Sequence, residues 1–208
     1  MSPTGKIKGK IVILSSPSGG GKSTICRELL RRNRRHGWRF SVSYTTRKKR
    51  PNERNGREYW FASHADFMKM RDEGRFAEWC QVHRYYYGTP REPLEEVLHS
   101  GGVMLLDIDV KGARKIKKAY PTAANIFILP PSRAELTRRL KRRGTEDDKS
   151  LQIRLRRAIS EMRLFKEFEY TVINKDLAPA VAEVEMIVKS LHCRRINLDL
   201  EQIERIIG

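Results

Sequence analysis

The sequence predicts an α/β protein, a doubly wound parallel sheet carrying a phosphate loop. Three observations carry the prediction. Four short apolar runs, KIVILSS near the N-terminus, GVMLLDID at 102–109, ANIFILPP at 124–131 and YTVINKD at 170–176, have the composition of buried parallel strands. Amphipathic helical stretches lie between and after them, and strands alternating with helices wind right-handed into a sheet covered on both faces. The stretch SSPSGGGKST at 15–24 follows the first run directly and opens a helical pattern, KSTICRELLRR. A length of 208 residues suffices for one such domain with a full core and small insertions.

The glycine stretch is the first site. Glycine costs conformational entropy and is used where backbone must turn inward or approach a ligand closely. The phosphate-loop pattern asks for Gly, four residues, then Gly-Lys-Ser/Thr, and Gly21, Lys22 and Ser23 stand in register between a strand and a helix. Ser16 occupies the place of the first glycine. In this P-loop NTPase type of arrangement the amides of Ser18, Gly19, Gly20, Gly21 and Thr24 cradle phosphate oxygens, Lys22 reaches the outer phosphates and the Ser23 hydroxyl binds Mg²⁺.

The segment from about 41 to 90 breaks the strand-helix alternation. FSVSYTTRKKRPNERNGREYWF and EWCQVHRYYYGT are rich in Thr, Tyr, Trp and Asn-Gly and read as short strands and turns, an antiparallel insertion. Arg47 and Arg50, with Ser43, Tyr59, Tyr87 and Thr89, suit a second phosphate remote from the glycine loop. Glu78 stands between Ala77 and Trp79 in a partly apolar stretch. A carboxylate there can accept from a paired donor such as guanine N1–H and its exocyclic amine, or can be a surface ion pair; the residues leave both readings open.

The second apolar run delivers Asp107 and Asp109, which alternate in facing unless the strand is already bending. An acid after an apolar strand, in a chain with a phosphate loop, is where Mg²⁺ or its water shell is held, and an aspartate there can equally cap the next helix. All four runs end in polar groups: the glycine loop, the two aspartates, Pro130-Pro131-Ser132, and Asn174 with Asp176. Strand ends at one edge of such a sheet ring one cleft.

Residues 132–165 read as two basic helices separated by Gly144-Thr145, a hinged lid. Ser132 and Glu135 form a capping box for the first helix. The second carries an apolar stripe of Leu151, Leu155, Ala158 and Met162, with Arg154, Arg156 and Arg157 off it. Arg139 and Arg143, four apart, share a face and can grip one anion, with Arg154 approaching from the neighbouring helix. The C-terminal NLDLEQIERIIG reads as a docked terminal helix or a contact in a homo-oligomer.

Composition narrows the class. The balance of 43 Lys and Arg against 25 Asp and Glu, a formal +18, implies anionic partners, but the basic residues are spread over several segments. The apolar runs are too short to span a bilayer, and MSPTGKIKGK lacks the core of a signal peptide, so a soluble, cytoplasmic protein is expected. Cys26, Cys80 and Cys193 are odd in number and lack any Cys-x-x-Cys pair; they are expected reduced, in or near the core.

Taken in order, SPSGGGKST, SVSYTTR, NGREYWF, F-x-E-W, YYGT, LDID-x-x-G, RRGTE and VIN resemble the guanylate kinase family from about Lys10 to Leu191. The resemblance implies transfer of the γ-phosphoryl of ATP to GMP or dGMP, giving ADP and GDP, in purine nucleotide metabolism. It places the GMP phosphate among Ser43, Arg47, Arg50, Tyr59 and Tyr87, and the guanine at Glu78, Thr89 and Asp109. ATP phosphates fall at Gly19 to Thr24, with Mg²⁺ at Ser23 and Asp107, Asn174 near the adenine, and Arg139, Arg143 and Arg154 closing from the lid. Lys22 and those arginines carry the catalysis. Lys49 stands where the family usually has proline, and Asn52 where it has glycine. The implied parts are a core of residues 1–40, 91–131 and 166–208, a GMP-binding insertion at 41–90 and a lid at 132–165. GMP and ATP are the expected partners, with neither a specific nucleic-acid site nor a membrane contact. Competing readings are a phosphopeptide-binding scaffold domain on the same fold, a nucleic-acid-binding NTPase, and a kinase for another phosphorylated acceptor.

Overall fold

The computed structural model describes residues 9–82, 84–143, 148–194 and 206–207, without the side chains at 143 and 148–150. The Gly144-Thr145 break, the Arg143 side chain and nearly all of the C-terminal stretch lie outside the described residues. In chain order the elements are β1 (Lys10–Ser15), α1 (Lys22–Asn33), β2 (Trp38–Phe40), β3 (Tyr44–Thr45), β4 (Trp60–Phe61), α2 (His64–Asp72), β5 (Phe76–Val82) and β6 (Tyr85–Pro90). They continue as α3 (Arg91–Ser100), β7 (Val103–Asp107), α4 (Val110–Ala119), β8 (Ala124–Leu129), α5 (Arg133–Arg143), α6 (Asp148–Met162), β9 (Tyr170–Ile173) and α7 (Leu177–Ser190).

The main sheet is five-stranded, in the order β2-β7-β1-β8-β9, with every pairing parallel. Its edge strand β2 has no counterpart among the four apolar runs. At three residues, WRF, it is too short and too polar in its middle to register as a buried run. β1 shows why the fold is doubly wound. Val12 and Leu14 pack with Ile25 and Leu29 of α1 and Val181 and Val184 of α7 on one face. Ile11 and Ile13 pack with Leu94 and Val97 of α3 and Ile116 of α4 on the other. A strand buried on both sides must be apolar at successive positions, and β1 is.

A second, four-stranded sheet, β4-β3-β6-β5, lies within 44–90 and has its own small core of Phe67, Met70 and Phe76. The β3–β4 pair is parallel, so the predicted antiparallel character holds for β3–β6 and β5–β6 only. The helices α5 and α6 pack on each other through Leu136, Leu140, Leu151 and Ala158, with Leu155 and Met162 against them, the stripe read from the sequence. Ser132 caps α5 by accepting from Glu135 N–H at 3.1 Å. The reciprocal half of the capping box is replaced, because the Glu135 carboxylate pairs with Arg138 and Arg139 instead. Among the cysteines, Cys26 and Cys80 are buried, whereas Cys193 is exposed at the C-terminal end of the described chain, away from the expected core position. No helix among the described residues is long and apolar enough to cross a membrane.

Candidate active site

The strand tips of the main sheet meet at the glycine loop. Gly19 and Gly21 hold φ of +90° and +94°, a region closed to most side chains. Gly21 is also the N-cap residue of α1, where no side chain caps the first amides, so the helix start is open to an anion. A Cβ at Gly21 would collide with the side-chain nitrogen of Asn174, which donates to Gly20 O at 2.9 Å and so braces the loop from β9. Ser16, in the place of the first glycine, packs its side chain against Gly20 and donates its hydroxyl to Pro17 O at 3.0 Å. The loop keeps its turn, with Gly20 N–H donating to Pro17 O at 3.0 Å.

Lys22 and Ser23 face the second aspartate-bearing strand tip. Lys22 Nζ lies 2.7 Å from Asp107 and donates to Ile108 O at 2.8 Å, while the Ser23 hydroxyl donates to the other Asp107 oxygen at 2.6 Å. Asp109 is not a strand residue: β7 ends at Asp107, and Asp109 caps α4 by accepting from Gly112 N–H at 2.8 Å. The alternate facing of the two aspartates does not apply, because the backbone turns between them, the exception that the sequence allowed. Both line one cavity nonetheless.

Two cavities flank this centre. One, about 290 Å³, is lined by Gly19, Gly21, Thr24, Asn174, Glu135 and Arg139, with Arg138, Arg142, Lys175 and Leu177 completing its rim. Arg139 is held there by Glu135 at 2.7 Å and by Asn174 O at 3.0 Å. The other, about 210 Å³, runs from Lys22, Asp107 and Asp109 to Ser43, Tyr59, Glu78, Cys80, Tyr87 and Gly112. Arg154 on α6 is partly exposed.

The β5–β6 ribbon supplies the second cavity's long wall. Glu78 faces Thr89, and Cys80 faces Tyr87 two residues on, so alternate residues line the same face. Thr89 donates its hydroxyl to Glu78 Oε1 at 2.7 Å, while Oε2 is buried without a partner among the described residues. Burial pushes the Glu78 carboxyl up to about 7, with Asp109 adding to the shift and the Thr89 bond and Lys115 opposing it. A buried carboxylate oxygen that pairs with nothing in the protein is costly unless a ligand donor meets it.

At the opposite end Tyr59 and Tyr87 meet edge to face, and the Arg47 guanidinium lies over the Tyr59 ring at 5.5 Å. Glu53 grips Arg47 through both oxygens at 2.7 and 2.9 Å. Burial opposes ionisation of Glu53, but Arg47 and the Arg50 N–H outweigh it and hold the carboxyl below its usual range. Burial pushes the Tyr59 phenol up to about 12, so it is a neutral donor at ordinary pH. Arg50 is exposed, gives its backbone N–H to Glu53 at 2.9 Å, and does not line the cavity. Sequence reading missed Glu53, Cys80, Arg138, Arg142 and Lys175. Cys80 was within reach, since it follows Glu78 at strand spacing; Glu53 needed the loop's fold.

A phosphate loop on the first strand of a parallel sheet, a second cavity beside it and arginine-bearing helices above define a P-loop nucleotide kinase. A family model described as guanylate kinase matches residues 8–191. Guanylate kinases of Aromatoleum aromaticum and Symbiobacterium thermophilum are 43% and 42% identical to this chain, over 91% and 97% of it and 92% and 95% of their own lengths. A crystal structure of guanylate kinase from Anaplasma phagocytophilum superposes with a TM-score of 0.73 at 28% identity, over 93% of this chain and 98% of that one. The chain belongs to the guanylate kinase family, ATP-dependent phosphotransferases that phosphorylate GMP.

Proposed function

We propose that the two cavities divide the substrates, with ATP phosphates on the glycine loop and GMP along the β5–β6 ribbon, and that the reaction runs at the seam between them. The observation that carries this division is the unpartnered Glu78 Oε2 in the second cavity. The N1–H and amino group of guanine supply donors for that carboxylate, whereas adenine offers an acceptor at N1. A wrong base leaves a buried acceptor unpaired, which discriminates by about 10⁴ or more. Asp109 and Thr89 complete the base contacts; Ser43, Arg47, Tyr59 and Tyr87 take the phosphate, with Arg50 joining from the exposed loop.

On the donor side the loop from Gly19 to Thr24 takes the phosphates, the Ser18 N–H being engaged by Glu161, and Asn174 stands towards the adenine. Lys22, now on Asp107, turns to the transferred group. Arg139, Arg143 and Arg154 bring positive charge from the lid. An oxygen of the GMP phosphate attacks the γ-phosphorus as the bond to the ADP oxygen breaks. This chemistry asks for alignment and charge neutralisation more than for a base.

The donor set suits Mg²⁺, because the Ser23 hydroxyl and the Asp107 carboxylate are hard oxygen ligands lying together at 2.6 Å, and Mg²⁺ bound with phosphates takes only one or two protein ligands. When bound it supplies charge neutralisation at the phosphates. In this reading residues 41–90 and 132–165 move against the rest of the chain, dGMP serves as well as GMP, and the protein works in the cytoplasm. The test is a coupled assay of ADP formation with Mg·ATP and each of GMP, dGMP, AMP, CMP and UMP. Turnover confined to GMP and dGMP is expected; equal turnover with AMP contradicts it.

A further inference from the structure

Glu161 lies in the last turn of α6, partly buried, and none of the assignments above uses it. Its carboxylate accepts from the Ser18 backbone N–H of the glycine loop at 3.4 Å. This bond ties the lid to the loop across 143 residues of sequence. Its length suits a contact that tightens as substrates draw the parts together. The surroundings place Glu161 at the seam: burial raises its carboxyl above the usual range and Asp109 adds to this, while the Ser18 bond, Lys22 and Arg157 oppose it.

The helix geometry gives the contact its consequence. Arg154, Arg157 and Glu161 are spaced by three and four, so they form one stripe of α6. Leu151, Leu155, Ala158 and Met162 form another, spent on packing against α5. With that apolar stripe fixed, whatever seats Glu161 on the loop also fixes the height and rotation of the arginine stripe. We propose that Glu161 is a positioning residue: by accepting the Ser18 N–H it completes lid closure and sets Arg154 and Arg157 over the phosphoryl group in flight. It touches neither substrate. The role rests on the phosphotransfer reading above.

The distinguishing feature is that an acceptor is needed at position 161 and a negative charge is not. Glu161→Ala is expected to lower kcat between about tenfold and about a hundredfold, the cost of a misplaced catalytic group, with GMP affinity measured by calorimetry within about twofold of the wild type. Glu161→Gln keeps a carbonyl acceptor and is expected to recover most of kcat. An Ala variant as fast as the wild type, or faster because a carboxylate beside the phosphates has gone, overturns the proposal. So does a Gln variant as slow as the Ala variant, since charge would then be the requirement. A wild-type protein that forms no GDP from GMP overturns the phosphotransfer reading and this role together; an active wild type with an undiminished Ala variant overturns this role alone.

Discussion

Thr89 donates to one oxygen of Glu78 at 2.7 Å while the other oxygen is buried and has no partner among the described residues, so one hydroxyl orients the carboxylate and leaves half of it open. Burial raises that carboxyl to about 7, so base reading by Glu78, as proposed above, would be pH-dependent. On that proposal the ionised form would accept two donors from guanine and the protonated form fewer. KM for GMP is therefore expected to rise as pH falls from about 8 to about 6, approaching tenfold per unit once below the carboxyl's pKa. The part of the slope centred near 7 should be lost in Glu78→Gln, leaving only that of the GMP phosphate, which titrates at about 6, as steady-state KM across that range will show.

The same carboxyl costs stability. Its folded pKa is raised to about 7 above the ordinary carboxylate value, so its favourable contribution is complete in acid and is lost as pH climbs through about 7. Glu78→Gln should therefore stabilise the substrate-free protein at pH 8, by roughly 1–3 kcal/mol, and should gain nothing at pH 4. Denaturant unfolding at the two pH values measures the difference.

Arg139 is poised on the rim of the glycine-loop cavity by Glu135 and Asn174 O, at 2.7 and 3.0 Å, and is free to exchange those partners for phosphate oxygens. Arg139→Ala is expected to lower kcat by about 10³-fold or more while moving GMP affinity little. Single-turnover kinetics alongside GMP titration separates the two effects, and a normal kcat removes Arg139 from the mechanism.

Gly21 faces two prohibitions at once, a φ of +94° and the Asn174 nitrogen where a Cβ would stand. Gly21→Ala should force the Asn174 brace off Gly20 O and distort the loop, at a cost of about 1–3 kcal/mol in stability. Thermal unfolding should show that loss together with a weakened response to added ATP. Asn174→Ala, which removes the obstacle but leaves the φ, should restore only part of it.

How much of this was legible in the sequence depended on whether a residue's neighbours in space were also its neighbours in the chain. The glycine loop and the lid stripe of Leu151 to Met162 follow from spacing along single elements, and both stand in the structure. The pairing of Glu78 with Thr89 crosses from β5 to β6, and only the family resemblance brought the two together. β2 was not legible, because its strand character comes from pairing with β7 and not from its three residues. For Asp109 the sequence left two roles open, metal site or helix cap, because nothing local shows where β7 stops; the structure shows it as the cap of α4. Glu53 and Glu161 escaped notice for a common reason. Each takes its meaning from a partner that no periodic pattern places: Arg47 within the same irregular β3–β4 loop in one case, and the Ser18 amide, 143 residues away, in the other.

Reading of the guanine edge by Glu78 is tested with the smallest change by hypoxanthine, since IMP keeps N1–H and lacks the amino group. The decisive measurement is the ratio of kcat/KM for GMP to that for IMP, in the wild type and in Glu78→Ala. A ratio of about 10² or more is expected in the wild type, collapsing toward unity in the variant, with GMP losing far more than IMP. A ratio unchanged by the substitution would mean that the base is read elsewhere and that the unpartnered oxygen of Glu78 faces something other than guanine.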